Sequence, residues 1–407
     1  MKRKTLPKGS TLGVICFLVI TLTLLLGSLS GYAKGARGVT DDTVKIGFSL
    51  DITGPTATVQ RPALEAVRNY FKHINRQGGF NGRKIKLIVE DNRYSIPIDI
   101  AVFKKLVFKD NALALILAIQ EASAMAMLPR MAKQKVPSSI IGMSQNPVVP
   151  TRRYMFLAVA SYDDQFKVIF DYMMKDLKAK NPRIALIGPD NSYGKACFAQ
   201  AEISAKHYGV KIVDKEIFSP GAMDASSQVL TMKRARPDYV MSITYVGNSV
   251  ALLREARRMR LTVPFLGMAP STNDDLVKIA GKAAQNYIGS SPLINWYTKT
   301  PGITKMMEIH KKYSPVTEDQ YRTQIHILAW VTAMTYGEAI KRAGKNLTPD
   351  TFVDALETLK DFDSGGLTVP ITYGSDNHKG GTSSMVFKAD IAQGRLVPLT
   401  GWRKPSF

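Results

Sequence analysis

The chain has 407 residues, 55 Lys and Arg against 33 Asp and Glu, a formal charge of +22 and two cysteines. With 45% hydrophobic residues it can bury a large core in about two or three domains, which excludes a disordered, collagenous or disulfide-stapled chain. Two cysteines frame neither a disulfide scaffold nor a zinc cage, and the excess charge points to nucleic acid, a membrane surface or an anionic partner.

Lys2, Arg3, Lys4 and Lys8 precede an apolar run from Leu12 to Leu26, and small residues ending in Ala33 follow. That order is the order of a secretory signal peptide, with residues 1–33 removed after Ala33. A single membrane anchor is the alternative, because the run is close to the lower length limit for spanning. Cleavage removes four positive charges and no negative one, leaving about +18. It also leaves Cys197 alone, so no internal disulfide forms and the thiol is expected as a small buried hydrophobe. No later stretch approaches about 20 apolar residues, so an exported, soluble chain is expected.

The mature chain alternates strands with helices. Val44 to Leu50 reads as a strand, Pro62 opens a helix with Leu64, Val67, Phe71 and Ile74 at helical spacing, and Lys84 to Glu90 is a second strand. A helix from Pro97 to Lys109, a strand from Ala112 to Ile119, a helix from Ala122 to Gln134 and a strand from Val136 to Ile141 complete a first series. A second series begins with a helix at Asp163 to Leu177. Strands at Arg183 to Gly188, Lys211 to Phe218, Asp238 to Thr244 and Pro264 to Met268 follow, separated by helices at Tyr193 to Tyr208, Asp224 to Arg234 and Asn248 to Arg260. A long helix is expected near Gln320 to Arg342, then short strands at Leu367 to Tyr373 and Ser383 to Lys388. Short apolar strands between amphipathic helices mean parallel sheets covered on both faces, so the fold class is α/β with two doubly wound lobes.

Ligands of open parallel sheets sit beyond the carboxyl ends of the strands. That rule selects the loops Thr53 to Gln60, Gln120 to Ser123, Gly142 to Asn146, Pro189 to Tyr193, Tyr245 to Asn248 and Met268 to Asn273, three from each lobe. Together they describe a cleft. His73, His207, His310, His326 and His378 show no metal-ligand spacing, no phosphate loop is present, and Gly142 to Asn146 lacks the second glycine of a nucleophile elbow. A non-enzyme is expected. The basic runs Arg254 to Arg260 and Lys233 to Arg236 close helices, where cations complement the helix dipole, and no aromatic residues interleave them as nucleic-acid stacking requires.

Several motifs stand in a fixed order: Val44-Lys45-Ile46-Gly47, Thr53-Gly54-Pro55, Asn75 to Ile85 with Gly78-Gly79-Phe80-Asn81-Gly82-Arg83, Glu90-Asp91-Asn92, Val136-Pro137, Asn146-Pro147, Tyr193-Gly194 and Pro237-Asp238. In this order the sequence resembles the substrate-binding proteins of branched-chain amino-acid ABC transporters, the leucine/isoleucine/valine-binding family, over about residues 42–390. The resemblance implies a type I periplasmic binding protein fold, with two lobes joined by three crossovers that close on a ligand. It places lobe 1 at residues 42–160 and 291–380 and lobe 2 at 161–290 and 381–407, with crossovers near Ala158–Tyr162, Ile288–Leu293 and His378–Ser384. It implies a small-molecule ligand, membrane permease subunits as partners, a periplasmic monomer, and no cofactor, metal or catalytic residue.

The ligand-binding candidates carried over are Thr56, Thr58, Gln120, Glu121, Ser144, Gln145, Tyr193, Tyr245 and Ala269. Tyr193 and Tyr245 match the family's second-lobe aromatics, each an apolar face with a hydroxyl. Gln120 and Glu121 stand where members offer hydroxyls to an α-carboxylate, and an ionised Glu121 repels a carboxylate. Ala269 stands where members hold the acid for an α-ammonium, and the Thr56 to Gln60 loop is about four residues short and lacks a tyrosine. Two ligand classes follow: an amino acid in a rearranged cage, or another small carboxylate, aromatic compound or amide. A sensory module serving a membrane receptor is the other functional class. The positive charge is expected to favour an anionic membrane surface or the permease.

Overall fold

The computed structural model describes residues 36–219, 221–314 and 322–407. The predicted leader, and the first two residues of the expected Gln320 to Arg342 helix, lie outside them. Among the described residues no helix is long and apolar enough to cross a membrane.

Lobe 1 is built on a five-stranded sheet of order β2-β1-β3-β4-β5. Its strands are β1 (Thr43–Leu50), β2 (Lys84–Asp91), β3 (Ala114–Leu117), β4 (Ser138–Ile140) and β5 (Met155–Phe156), all paired parallel. β1 is an interior strand between β2 and β3, and Val44, Ile46, Phe48 and Leu50, which share one face, are all 0% exposed. Helix α1 (Ala57–Arg76) buries Leu64, Val67 and Phe71, while α2 (Ile96–Lys104) and α3 (Glu121–Gln134) complete the first series.

Lobe 2 carries a seven-stranded sheet of order β12-β11-β10-β9-β8-β6-β7. Strands β6 (Arg183–Gly188), β7 (Lys211–Ile217), β8 (Tyr239–Ser242), β9 (Phe265–Met268) and β10 (Tyr287–Ser291) are parallel. They alternate with α4 (Tyr162–Asp171), α5 (Ser192–Tyr208), α6 (Ser226–Ala235), α7 (Val246–Arg258) and α8 (Asp274–Ala280). Strands β11 (Met385–Asp390) and β12 (Arg395–Pro398) add an antiparallel edge that the expectation of purely parallel sheets did not contain. After β10 the chain returns to lobe 1 as α9 (Pro301–Tyr313), α10 (Gln324–Ala343) and α11 (Pro349–Glu357). The Tyr336 hydroxyl of α10 donates to the Leu115 carbonyl in β3 at 2.6 Å.

The first and third crossovers run side by side. The Leu157 amide donates to the His378 carbonyl at 3.0 Å, and the Gly380 amide to the Leu157 carbonyl at 2.8 Å. The Asn81-Gly82 pair turns with φ of 51° and 80°, and Arg83 beyond it donates to the carbonyls of Thr40, Gly344 and Lys345. The turn motif is therefore a structural pin between β2 and the end of α10.

Two expectations change. Helix α1 begins at Ala57 and not at Pro62, because Asp51 nucleates the start by accepting from the Gly54 and Thr56 amides and the Thr56 hydroxyl. Pro62 forfeits only the bond to the carbonyl of Thr58, an exposed residue. The expected strand from Leu367 to Tyr373 does not form. Pro370 removes a ladder donor there, and a single bridge between Phe362 and Ile371 remains.

Candidate functional site

Where the loops at the strand carboxyl ends meet, residues of both lobes enclose a cavity of about 10 Å³. Lobe 1 supplies Glu121 and Ser144, and lobe 2 supplies Tyr162, Asp163, Phe166, Tyr193, Cys197 and Gln200. The volume is close to that of a single water, so a larger molecule enters only if the lobes part or the rings turn. A second groove, about 890 Å³, lies along α1 with Leu64, Phe71 and Ile85 in its floor and Arg68, Lys72 and Arg76 among its lining residues. It lies within lobe 1, so the interlobe cavity is the candidate ligand site.

Local sequence sets each wall. In lobe 1, Glu121 is the first residue of α3. Gln120 just before it donates to the Tyr94 carbonyl at 3.2 Å and accepts from the Ser123 hydroxyl at 2.6 Å. Asn146 donates to Glu121 at 2.7 Å and its amide donates to Ser144 Oγ at 3.3 Å, which ties the two lobe 1 residues together. In lobe 2, Asn191 caps α5 by accepting from the Gly194 amide at 3.0 Å. A Cβ on Gly194 would stand 1.8 Å from the Pro189 carbonyl, so only glycine lets the chain carry Tyr193 into the cleft here. The rings of Tyr162 and Tyr193 lie 4.9 Å apart, and those of Tyr193 and Tyr245 lie 5.6 Å apart.

Burial governs the electrostatics. It pushes the Tyr162 and Tyr193 hydroxyls well up and Tyr245 to about 12, so all three are neutral at physiological pH. The Tyr193 hydroxyl is buried with no hydrogen-bond partner. Burial raises the Asp163 carboxyl to about 6 and the Cys197 thiol far above its usual range, which leaves the thiol unreactive. Among the described residues no group of three metal-ligating side chains occurs.

The other candidate residues stand apart from the cavity. Thr56 is held by Asp51 and accepts from the Gln60 amide at 2.7 Å, and Thr58 is exposed on the first turn of α1. Gln145 accepts from the Ser161 hydroxyl at 3.5 Å. Ala269, 2% exposed, donates its amide to the Gln165 side chain at 3.1 Å. Sequence reasoning missed Tyr94, Tyr162, Asp163 and Phe166. Tyr94 follows β2 in a loop outside the six selected, and Arg93 and Tyr94 both have positive φ, 49° and 55°. Its carbonyl accepts from the Gln120 side chain at the start of α3. Tyr162 and Asp163 open α4 directly after the Ser161 cap, a signal the sequence did carry.

The periplasmic binding protein family model matches residues 43–395. A Leu/Ile/Val-binding protein homolog from Brucella suis is 24% identical over 83% of this chain and 86% of its own length. A branched-chain amino acid ABC transporter structure from Thermus thermophilus with bound valine superposes with a TM-score of 0.83 at 23% identity, covering 90% of this chain and 98% of the other. A fatty acid ABC transporter substrate-binding protein from Thermomonospora curvata gives 0.79 at 19% identity, covering 92% and 96%. The Brucella and Thermomonospora relatives are named as binding proteins. The chain belongs to the periplasmic binding protein family.

Proposed function

We propose that this chain is the exported, periplasmic capture component of an ABC importer, closing two lobes on a small molecule and presenting the closed form to membrane permease subunits. The carrying observation is the interlobe cavity itself, walled by residues of both lobes and holding a buried, unpartnered Tyr193 hydroxyl. A buried polar group without a partner is costly, and a bound ligand is the natural partner. In this reading Tyr193, Tyr162 and Tyr245 grip the ligand, and Glu121 and Ser144 meet it from lobe 1. Gln120 holds the Tyr94 loop, while Thr56, Thr58, Gln145 and Ala269 support the walls. The amino-acid and fatty-acid names among the structural neighbours leave the ligand class to be read from the cavity.

A thermal-shift screen of amino acids, amines, carboxylates and amides tests this reading. A ligand at about 100 times its dissociation constant adds roughly 2.7 kcal/mol of stability. Tyr193→Ala should abolish that gain while the unliganded protein stays folded. A gain that survives Tyr193→Ala unchanged would put the ligand elsewhere.

A further inference from the structure

The cavity pairs two carboxylates with tyrosine rings, and no basic side chain lines it. Glu121 enters from lobe 1 and Asp163 from lobe 2, beside Tyr162 and Tyr193. Neighbouring cations have closer partners, although Lys379 and Lys167 also act on Asp163 from outside the cavity. Lys379 donates to both oxygens of Asp164 at 3.0 and 2.7 Å, and Lys195 pairs with Asp190 at 2.9 Å. Arg152 donates to the carbonyls of Asn146 and Pro150, Arg93 pairs with Asp91, and Lys167 lies 5.2 Å from the Phe407 ring centroid. Asp163 receives no hydrogen bond from another side chain among the described residues.

The start of α3 carries the same message. A helix N-terminus is a ready seat for a ligand carboxylate, through its free amides and its dipole. Here Glu121, in the first turn of α3, already brings a negative charge to that seat. A free carboxylate entering the cavity would meet two acids and find no cation. An ammonium would meet two counter-charges and tyrosine rings, whose faces attract cations, the more strongly when desolvated.

We infer that the cleft takes a small organic cation, a primary or quaternary amine without a free carboxylate, held between Glu121 and Asp163 against the rings of Tyr162 and Tyr193. The inference rests on the reading of the cleft as the ligand site. It also gives the orphaned Tyr193 hydroxyl an ammonium N–H or a polar ligand atom to bond.

Two matched sets of compounds separate the charges on a constant skeleton. One is 3-methylbutylamine, leucine and 4-methylpentanoate, and the other is 2-phenylethylamine, phenylalanine and 3-phenylpropanoate. Calorimetric titration of the wild type, Glu121→Gln and Tyr193→Ala with all six is the test. The amine of at least one set should bind at least tenfold more tightly than its amino acid and its carboxylate. Glu121→Gln should weaken that amine at least tenfold, and Tyr193→Ala should weaken it further. An amino acid or carboxylate that outbinds its amine and is lost in Tyr193→Ala overturns the charge assignment and leaves the cleft reading standing. Binding untouched by Tyr193→Ala overturns both. Failure of both amines to bind at millimolar concentration, or an amine indifferent to Glu121→Gln, overturns the inference as well.

Discussion

His310 and His326 show how far a single residue's setting escapes the sequence. They lie 16 positions apart on α9 and α10, at no recognisable ligand spacing, yet their Nε2 atoms are 2.6 Å apart. Asn69 Nδ2 donates to His310 Nδ1 at 2.7 Å, so His310 donates through Nε2 and His326 accepts. Protonating His326 at Nε2 would set two N–H groups head to head. Burial lowers His310 to about 4, with Glu65 opposing and Arg322 assisting, and lowers His326 well below its ordinary value. A histidine depressed in the fold binds its proton only in the unfolded chain, so its contribution is complete above about pH 6.5 and is lost as pH falls. Asp163 and Asp274, both raised to about 6, act in the opposite sense over the same range. They are common to both proteins in a comparison of wild type with His326→Gln. Between pH 6 and 5 the wild type should therefore lose stability more steeply than the variant, by about 1 kcal/mol per pH unit, in urea unfolding. Equal slopes would mean that His326 is not held neutral.

At the scale of elements, one carboxylate reinforces the backbone bonds between the first and third crossovers. Asp164, in the first turn of α4, accepts from the Ser161 amide at 2.9 Å and the Ser161 hydroxyl at 2.7 Å, and from Lys379 of the third crossover. The Lys379 and Asp164 side chains are 14% and 8% exposed, so solvent screens the pair little. Lys379→Met strands the carboxylate and should cost about 3 kcal/mol of unfolding free energy, against about 1 kcal/mol for Ser161→Ala. A Lys379→Met protein as stable as the wild type would show that the cap alone satisfies Asp164. The elements themselves were largely legible. Strand alternation and helical spacing located β1, β2, β6 and their helices because the burial that makes the pattern is local. Helix α1 was read five residues late because its start is set by the Asp51 side chain, not by periodicity. The site was legible only in part. Tyr193 and Tyr245 follow strand ends, where a rule exists. Tyr162, Asp163 and Phe166 enter the cavity from a helix in the crossover's wake, and Tyr94 arrives through two left-handed residues that no periodic pattern signals.

Across the whole molecule, several of the many cations sit at helix ends, and others line the groove along α1. Arg254 and Arg257 donate to the carbonyls of Ile279 and Lys282, Lys233 to that of Met259, Arg183 to that of Ala235 and Arg342 to that of Thr358. These cations satisfy backbone at or near the ends of neighbouring helices, as the dipole argument expects. The cavity between the lobes has the opposite character, acidic and aromatic. Because it has room for about one water, ligand uptake requires an open form in exchange with the closed one. The two helices that face each other across the cleft offer exposed positions for probes, Met125 on α3 at 38% exposure and Ile203 on α5 at 56%, while Cys197 at 2% is shielded from labelling. Pulsed dipolar spectroscopy between spin labels at 125 and 203 reads the lobe separation directly. Adding the compound that most raises the melting temperature should collapse a broad distance distribution onto its shorter component. A distribution unmoved by saturating ligand would contradict capture by closure of the two lobes.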